Sequence, residues 1–212
     1  MDDAGRTQGR GARPRARKPT FAERRERRAE VEDVSEVLDA AARFLEARPR
    51  SIHEVRYKLT TMGYPPTLVD EVVVRLTDLR YLDDEAFTRA WVESRDRARP
   101  RGEHALRREL QLKGVDSALV DEMLDQRREE ARARGDTGGD GEPVGPDDAA
   151  AERLLRKKLP AILREADPRR RRQRAYALLA RSGFAPDVCA SVSRAVLGDI
   201  AAEENLPDPD GP

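Results

Sequence analysis

Apolar residues along this chain recur at three- and four-residue intervals, the spacing that lines one face of an α-helix. Val34, Val37, Leu38, Ala41 and Leu45 mark a first helix from about Asp33 to Ala47. Ser51 and Glu54 form a capping box ahead of a second, which buries Val55, Leu59 and Met62 and stops at Gly63. Thr67 is the expected cap of a third, with Val69, Val72, Val73 and Leu76 inward. Asp83 precedes a fourth carrying Phe87, Trp91 and Ser94. A fifth runs from about Glu103 to Lys113 with Leu106 and Leu110 and closes at Gly114; Asp116 caps a sixth with Leu119, Val120, Met123 and Leu124. After a break, a helix starts near Asp148 with Ala151, Leu154, Leu155 and Ile162, and Pro160 is expected to kink or end it. Asp167 and Pro168 suit the cap and first position of the next, which ends at Gly183, and Pro186 opens the last. No segment alternates with period two, so the pattern predicts an all-α protein.

The pattern repeats. Shifting Arg48-Pro49-Arg50-Ser51, His53, Val55, Arg56, Leu59 and Gly63 by 51 gives Arg99-Pro100-Arg101-Gly102, His104, Leu106, Arg107, Leu110 and Gly114. Leu68, Val69, Glu71 and Val72 fall likewise on Leu119, Val120, Glu122 and Met123. A weaker third copy sets Leu59, Gly63, Val69 and Val72 against Leu179, Gly183, Cys189 and Val192. A unit of this size holds a core poorly alone. Three tandem three-helix repeats, stacked into an elongated curved array with a continuous buried seam, would overcome this. The expected division is a disordered basic arm over 1–30 and repeats over 31–80 and 81–127. A flexible acidic Gly/Pro linker over 128–147, a third repeat over 148–200 and a loose acidic tail over 201–212 complete it. The last third of the arm extends toward the first helix, and deleting 1–30 should leave the fold intact while weakening association with DNA.

Charge sharpens the picture. The 41 basic and 41 acidic residues of the 212 cancel, yet they are segregated. Residues 1–28 carry ten basic and four acidic groups, residues 152–197 carry twelve and four, and residues 198–212 carry five acids and no base. Basic segments this concentrated suit an anionic partner. At 39% charged and 38% hydrophobic, the composition disfavours one large core. No apolar run approaches membrane-spanning length and the N-terminus has no apolar signal core, so a cytoplasmic location is expected. One cysteine and two histidines leave no disulfide framework and little for a metal.

The chemistry points to binding. His53 and His104 are equivalent positions of successive repeats, Cys189 takes the place of Val69 and Val120 as a small core residue, and no phosphate loop occurs. The expectation is no catalytic site, no cofactor and no metal. Helix-turn-helix reading of an operator is disfavoured, because the third helices begin with Asp70, Glu71, Asp121, Glu122 and Asp187 where base-reading donors belong. Most of the nine aromatics fall on core positions, which argues against a stacking platform. Basic residues gather before and along the second helix of each unit. They are Arg48, Arg50, Arg56 and Lys58 in the first and Arg95, Arg97, Arg99, Arg101, Arg107 and Arg108 in the second. The third has Arg169, Arg170, Arg171, Arg172 and Arg174, with Arg156, Lys157 and Lys158 on the helix before. Such runs can be merely solvated faces. Recurrence at one location favours a stripe that meets phosphates without reading bases, or the acidic groove of a protein filament.

Tyr81-Leu82-Asp83-Asp84-Glu85-Ala86-Phe87, Trp91-Val92, Arg95, Leu106-Arg107-Arg108-Glu109-Leu110 and Lys113-Gly114-Val115 together resemble the bacterial RecX family. So do Arg156-Lys157-Lys158-Leu159 and Leu178-Leu179-Ala180-Arg181-Ser182-Gly183-Phe184; the resemblance spans about 34–197. It implies tandem three-helix repeats and a non-enzymatic modulator, usually an inhibitor, of the RecA recombinase. Such a protein binds the RecA–DNA filament or its growing end and limits extension, strand exchange and co-protease function in DNA repair and the SOS response. By the same resemblance Asp83, Asp84 and Phe87 are structural, whereas Arg95, Lys157 and Lys158 fall on basic positions that would touch the filament. The basic arm and the acidic insertion depart from the family pattern. The expected partners are the RecA filament and single- or double-stranded DNA through its phosphates, met by a monomer. A general DNA- or RNA-binding repeat protein without RecA, and a pure protein-interaction scaffold, are the rival readings.

Overall fold

The computed structural model describes residue 17, residues 19–134 and residues 145–203. What was expected of the rest of the arm, of 135–144 and of 204–212 lies outside these. Every described element is a helix: α1 (Phe21–Ala29), α2 (Val34–Leu45), α3 (Ile52–Met62), α4 (Pro66–Asp78), α5 (Asp84–Ala98), α6 (Glu103–Leu112), α7 (Ser117–Arg134), α8 (Pro146–Ile162), α9 (Pro168–Arg181) and α10 (Pro186–Glu203). Helices α2–α4, α5–α7 and α8–α10 form units 1, 2 and 3.

The second helix of each unit ends in the same way. Gly63, Gly114 and Gly183 take φ of 101°, 71° and 85°, where a side chain would be strained. The amide of the following residue then donates back to a leucine carbonyl five positions earlier: Tyr64 to Leu59, Val115 to Leu110 and Phe184 to Leu179. This is the Schellman closure, and it buries Tyr64, Val115 and Phe184 beside those leucines. The repeat register holds in the core, where Val69, Val120 and Cys189 are all buried, as are Val72, Met123 and Val192.

Caps follow the sequence in most places. Ser51 and Glu54 complete their box, Asp83 accepts from the amides of Glu85 and Ala86, Asp116 from those of Ala118 and Leu119, and Asp167 from that of Arg169. Four expectations need correction. Thr67 caps nothing, because α4 already starts at Pro66, whose fixed φ suits the first helical position. Pro160 neither ends nor breaks α8, which runs on to the buried Ile162 that holds its last turn on the core. Residues 128–134, expected as linker, continue α7, with Ala131 buried. The last third of the arm does not extend α2 but forms α1, a separate helix with its own Thr20–Glu23 capping box.

Apolar burial falls into three clusters rather than one seam. Unit 1 packs around Val37, Val55, Leu59 and Val72, unit 2 around Phe87, Leu106, Leu110 and Val120, and unit 3 around Ala151, Leu155, Ala175 and Leu179. Adjacent units are joined by hydrogen bonds, ion pairs and close packing against the closing glycines.

Candidate functional site

The head of α3 meets unit 2, and the head of α6 meets unit 3, in matching fashion. Ser51 Oγ donates to the carbonyl of Lys113 at 2.6 Å, and the Ile52 amide donates to Asp84 Oδ1 at 2.9 Å. At the second joint the Gly102 amide donates to the carbonyl of Ser182 at 3.1 Å, and the Glu103 amide to Asp147 Oδ2 at 2.8 Å. Gly102 stands where unit 1 has Ser51 because a methyl group there would collide with the backbone of Gly183.

Charge locks both joints. Glu54 accepts from Arg48 at 2.8 Å and from Lys113 Nζ at 2.9 Å. Burial pushes its carboxyl pKa up, but the hydrogen bonds and charges of Arg48 and Lys113 prevail and hold it at about 2, against an ordinary 4.5. At the second joint Arg127, with 10% of its side chain exposed, meets Asp96 at 2.9 Å and Asp147 at 2.8 Å. Burial opposes its charge, and those two carboxylates outweigh burial and raise its pKa. Sequence reading missed Arg127, Asp147 and the Lys113–Glu54 pair. One signal was available: the Asp83-Asp84 pair at the head of α5 recurs as Asp147-Asp148 at the head of α8.

The first joint should respond to acid. Glu54 titrates lower in the folded chain than unfolded, so its contribution of about 3 kcal/mol is complete above pH 4.5 and lost as pH falls toward 2. Asp84 opposes this, because burial raises its pKa and its ionised form is the costly one. Trp91 is the one tryptophan and lies 5.2 Å from Lys113, so its fluorescence reports the joint. We expect a transition below about pH 4 that Glu54→Gln abolishes; an identical acid profile for that variant would refute the assignment.

The basic residues singled out from sequence divide sharply. In units 1 and 2 most are engaged by carboxylates. Arg48 is held by Glu54, Arg95 by Glu109 at 2.6 Å, Arg97 by Glu93 and Arg101 by Glu109. Arg56–Asp70 and Arg107–Asp121 are one ion pair repeated at the 51-residue shift. Arg50 lies over the Phe44 ring at 4.1 Å, and Lys58 faces the same ring at 5.7 Å. Arg99 and the exposed Arg108 have no side-chain partner among the described residues.

Unit 3 differs. Lys157, Lys158, Arg169 and Arg172 are exposed and meet no partner among the described residues. Arg170 stands 3.7 Å from Asp167, Arg174 3.1 Å from Glu165, and Arg156 2.7 Å from Glu152, all largely exposed. Arg171 is half-buried and donates to the carbonyl of Glu165. Between α8 and α9 lies an open groove of 660 Å3, with Lys158, Arg170, Arg174 and Arg181 round a floor that includes Ile162 and Leu178. The nearest acid on its wall, Glu165, is committed to Arg174.

Of the nine aromatics, Phe21, Tyr57, Tyr81 and Tyr176 are exposed, more than the sequence suggested. Tyr176 shares a shallow groove with Arg172 and Arg194 on the α9–α10 side. His53 covers Gly114 at the first joint. Cys189 is fully buried, and burial raises its thiol pKa. Among the described residues, no His, Cys, Asp or Glu group of three or more is placed to hold a metal ion, and no helix is long and apolar enough to cross a membrane.

Three profiles match in chain order: RecX, first three-helix domain, over 38–76; RecX, second three-helix domain, over 83–124; and RecX, third three-helix domain, over 146–192. The chain belongs to the RecX family. The RecX regulatory protein of Mycobacterium ulcerans (strain Agy99) is 33% identical over 163 residues, 77% of this chain and 84% of the relative. That of Streptomyces coelicolor (strain ATCC BAA-471 / A3(2) / M145) is 31% identical over 179 residues, 82% of this chain and 85% of the relative. The crystal structure of RecX from Lactobacillus salivarius superposes with a TM-score of 0.62 at 18% identity, over 78% of this chain and 97% of the other. That structure shares the fold over the covered part, and the three matched spans fall on units 1, 2 and 3.

Proposed function

We propose that this RecX-family chain is a cytoplasmic, non-catalytic regulator that binds RecA or the RecA–DNA filament as a monomer and inhibits its recombinase, ATPase and co-protease activities in DNA repair and the SOS response. Membership of a family whose relatives are named regulatory proteins supports regulation. The observation that carries the mode of action is the α8–α9 surface. Lys157, Lys158, Arg169 and Arg172 meet no carboxylate among the described residues, and Lys158 lines, with Arg170, Arg174 and Arg181, a groove whose acid, Glu165, is paired to Arg174. Such a surface meets phosphates or carboxylates without ordering a base. Weak contacts to neighbouring RecA protomers and DNA phosphates add through multivalency, and a protein seated across protomers blocks extension without chemistry.

The test is RecA ATPase and strand exchange on single-stranded DNA with this protein added below one per RecA. The expected result is inhibition at substoichiometric ratios. No effect at any ratio removes the RecA assignment. Tight binding to naked DNA or RNA with a salt slope of about −0.7 per phosphate, and no effect on RecA, would establish the general nucleic-acid reading instead.

A further inference from the structure

We infer that α1 stands in for the head of a neighbouring repeat, filling from within the chain the half-joint that unit 1 presents. Each joint has the same receiving side: the glycine closing a unit's second helix, and the carbonyl of the residue just before it. At the first joint Gly114 receives His53 of the unit before, and the carbonyl of Lys113 accepts from Ser51. At the second, Gly183 receives Ala105 and the carbonyl of Ser182 accepts from Gly102. Unit 1 carries the same receiving side, with Gly63 at φ 101° and the carbonyl of Met62, and among the described residues α1 is the element that precedes it.

Helix α1 occupies that place. A methyl group on Gly63 would run into the stem and backbone of Arg25, as one on Gly114 would strike His53 and one on Gly183 would strike Ala105. The Arg28 guanidinium donates to the carbonyl of Met62 at 3.5 Å and stands 5.5 Å over the ring of Tyr64, the residue that follows the glycine. One surface is thus built three times and filled three times, twice by the head of a neighbouring unit's second helix and once by α1. Helix α1 buries none of its own residues, so this contact, not a share of the core, accounts for its position.

The opposite end of the array is closed differently. The cap residue lies 12 positions before the glycine in units 1 and 2 (Ser51 to Gly63, Gly102 to Gly114) but 16 before it in unit 3 (Asp167 to Gly183). Helix α9 therefore has an extra first turn. Its first residue is Pro168, which has no amide to give, whereas Ile52 and Glu103 use theirs to bond the next unit's aspartate. Neither end of the described array thus presents the surface of an internal joint, and α1 is held against unit 1.

The test combines Gly63→Ala with removal of residues 1–30, which takes away no residue of the unit 1 core. In the full chain the substitution meets both backbone strain and Arg25; in the shortened chain only the strain remains. We expect its drop in Tm to be about half as large in the shortened chain, departing from additivity as contacting sites do. Removal of 1–30 should also speed amide exchange at 62–64 about tenfold, and a synthetic peptide of residues 17–30 should restore the slow rate. Exchange at Gly114 and Gly183 should not change. Equal Tm losses in both backgrounds, or unchanged exchange at 62–64 on truncation, overturns the proposal. If Gly63→Ala does not fold, the exchange comparison decides alone. The shortened chain should sediment as a monomer, and end-to-end assembly would overturn the closure assigned to Pro168.

Discussion

Arg127→Met should separate unit 3 from unit 2 and lower stability by about 3 kcal/mol, the order expected when one partner of a largely buried ion pair is removed. The size follows from what is left behind. Arg127 hydrogen-bonds both Asp96 of α5 and Asp147 of α8, and it also donates to the carbonyl of Pro146. Asp147 further accepts the amide of Glu103, so it cannot turn to solvent without freeing that donor. Methionine keeps much of the bulk and removes the charge, leaving two carboxylates facing each other. Urea unfolding should then lose its single transition, with unit 3 opening first. Arg127→Lys should recover only part of the loss, since a point charge cannot bridge two carboxylates as the guanidinium fork does. Combining Arg127→Met with Asp96→Asn should cost less than the sum of the two. A single transition at the wild-type midpoint in Arg127→Met would show that the units are held by other contacts.

The elements legible from sequence were those set by local rules. The helix periods, the Ser51 box, the Asp83, Asp116 and Asp167 caps and the three closing glycines each depend on residues within one turn. Helix α1 escaped because it buries nothing, so it leaves no apolar stripe; its Thr20–Glu23 box was its one visible mark. The joints escaped because their partners are far apart in the chain: Glu103 and Asp147, Ser51 and Lys113, Arg127 and Asp96. The candidate surface was half visible. A count of arginines finds the clusters, but their availability depends on carboxylates one helix away, such as Asp70 for Arg56 and Asp121 for Arg107. Those acids recur with the repeat as faithfully as the arginines do, which marks the pairs as part of the unit's construction. Unit 3 has Tyr176 and Ala190 at those two positions and carries its unpaired cations elsewhere on α8 and α9, a contrast that the arginine clusters alone concealed.

Reversing Lys157, Lys158, Arg169 and Arg172 to glutamate should abolish inhibition of RecA while leaving the fold intact. These four make no side-chain pair among the described residues, so no internal network collapses when they change. All four are exposed, where single charges contribute within about 1 kcal/mol to stability. Binding is another matter. If each meets a phosphate, removing four contacts takes about 3 from the slope of log affinity against log salt on single-stranded DNA. Reversal adds repulsion, so affinity for the filament should fall about 100-fold, or near 3 kcal/mol. The contrasting variant is Arg56→Glu with Arg107→Glu, which removes cations already paired to Asp70 and Asp121. It should lower Tm and spare inhibition at temperatures where it stays folded. If instead the unit 3 variant inhibits RecA at wild-type concentration, the working surface lies elsewhere. If both variants lose binding equally, charge acts through the field of the whole molecule and not through a site. The expected asymmetry follows from one physical difference: a guanidinium already held by a carboxylate must give up that partner to take another anion, whereas the unpaired cations of α8 and α9 give up only water.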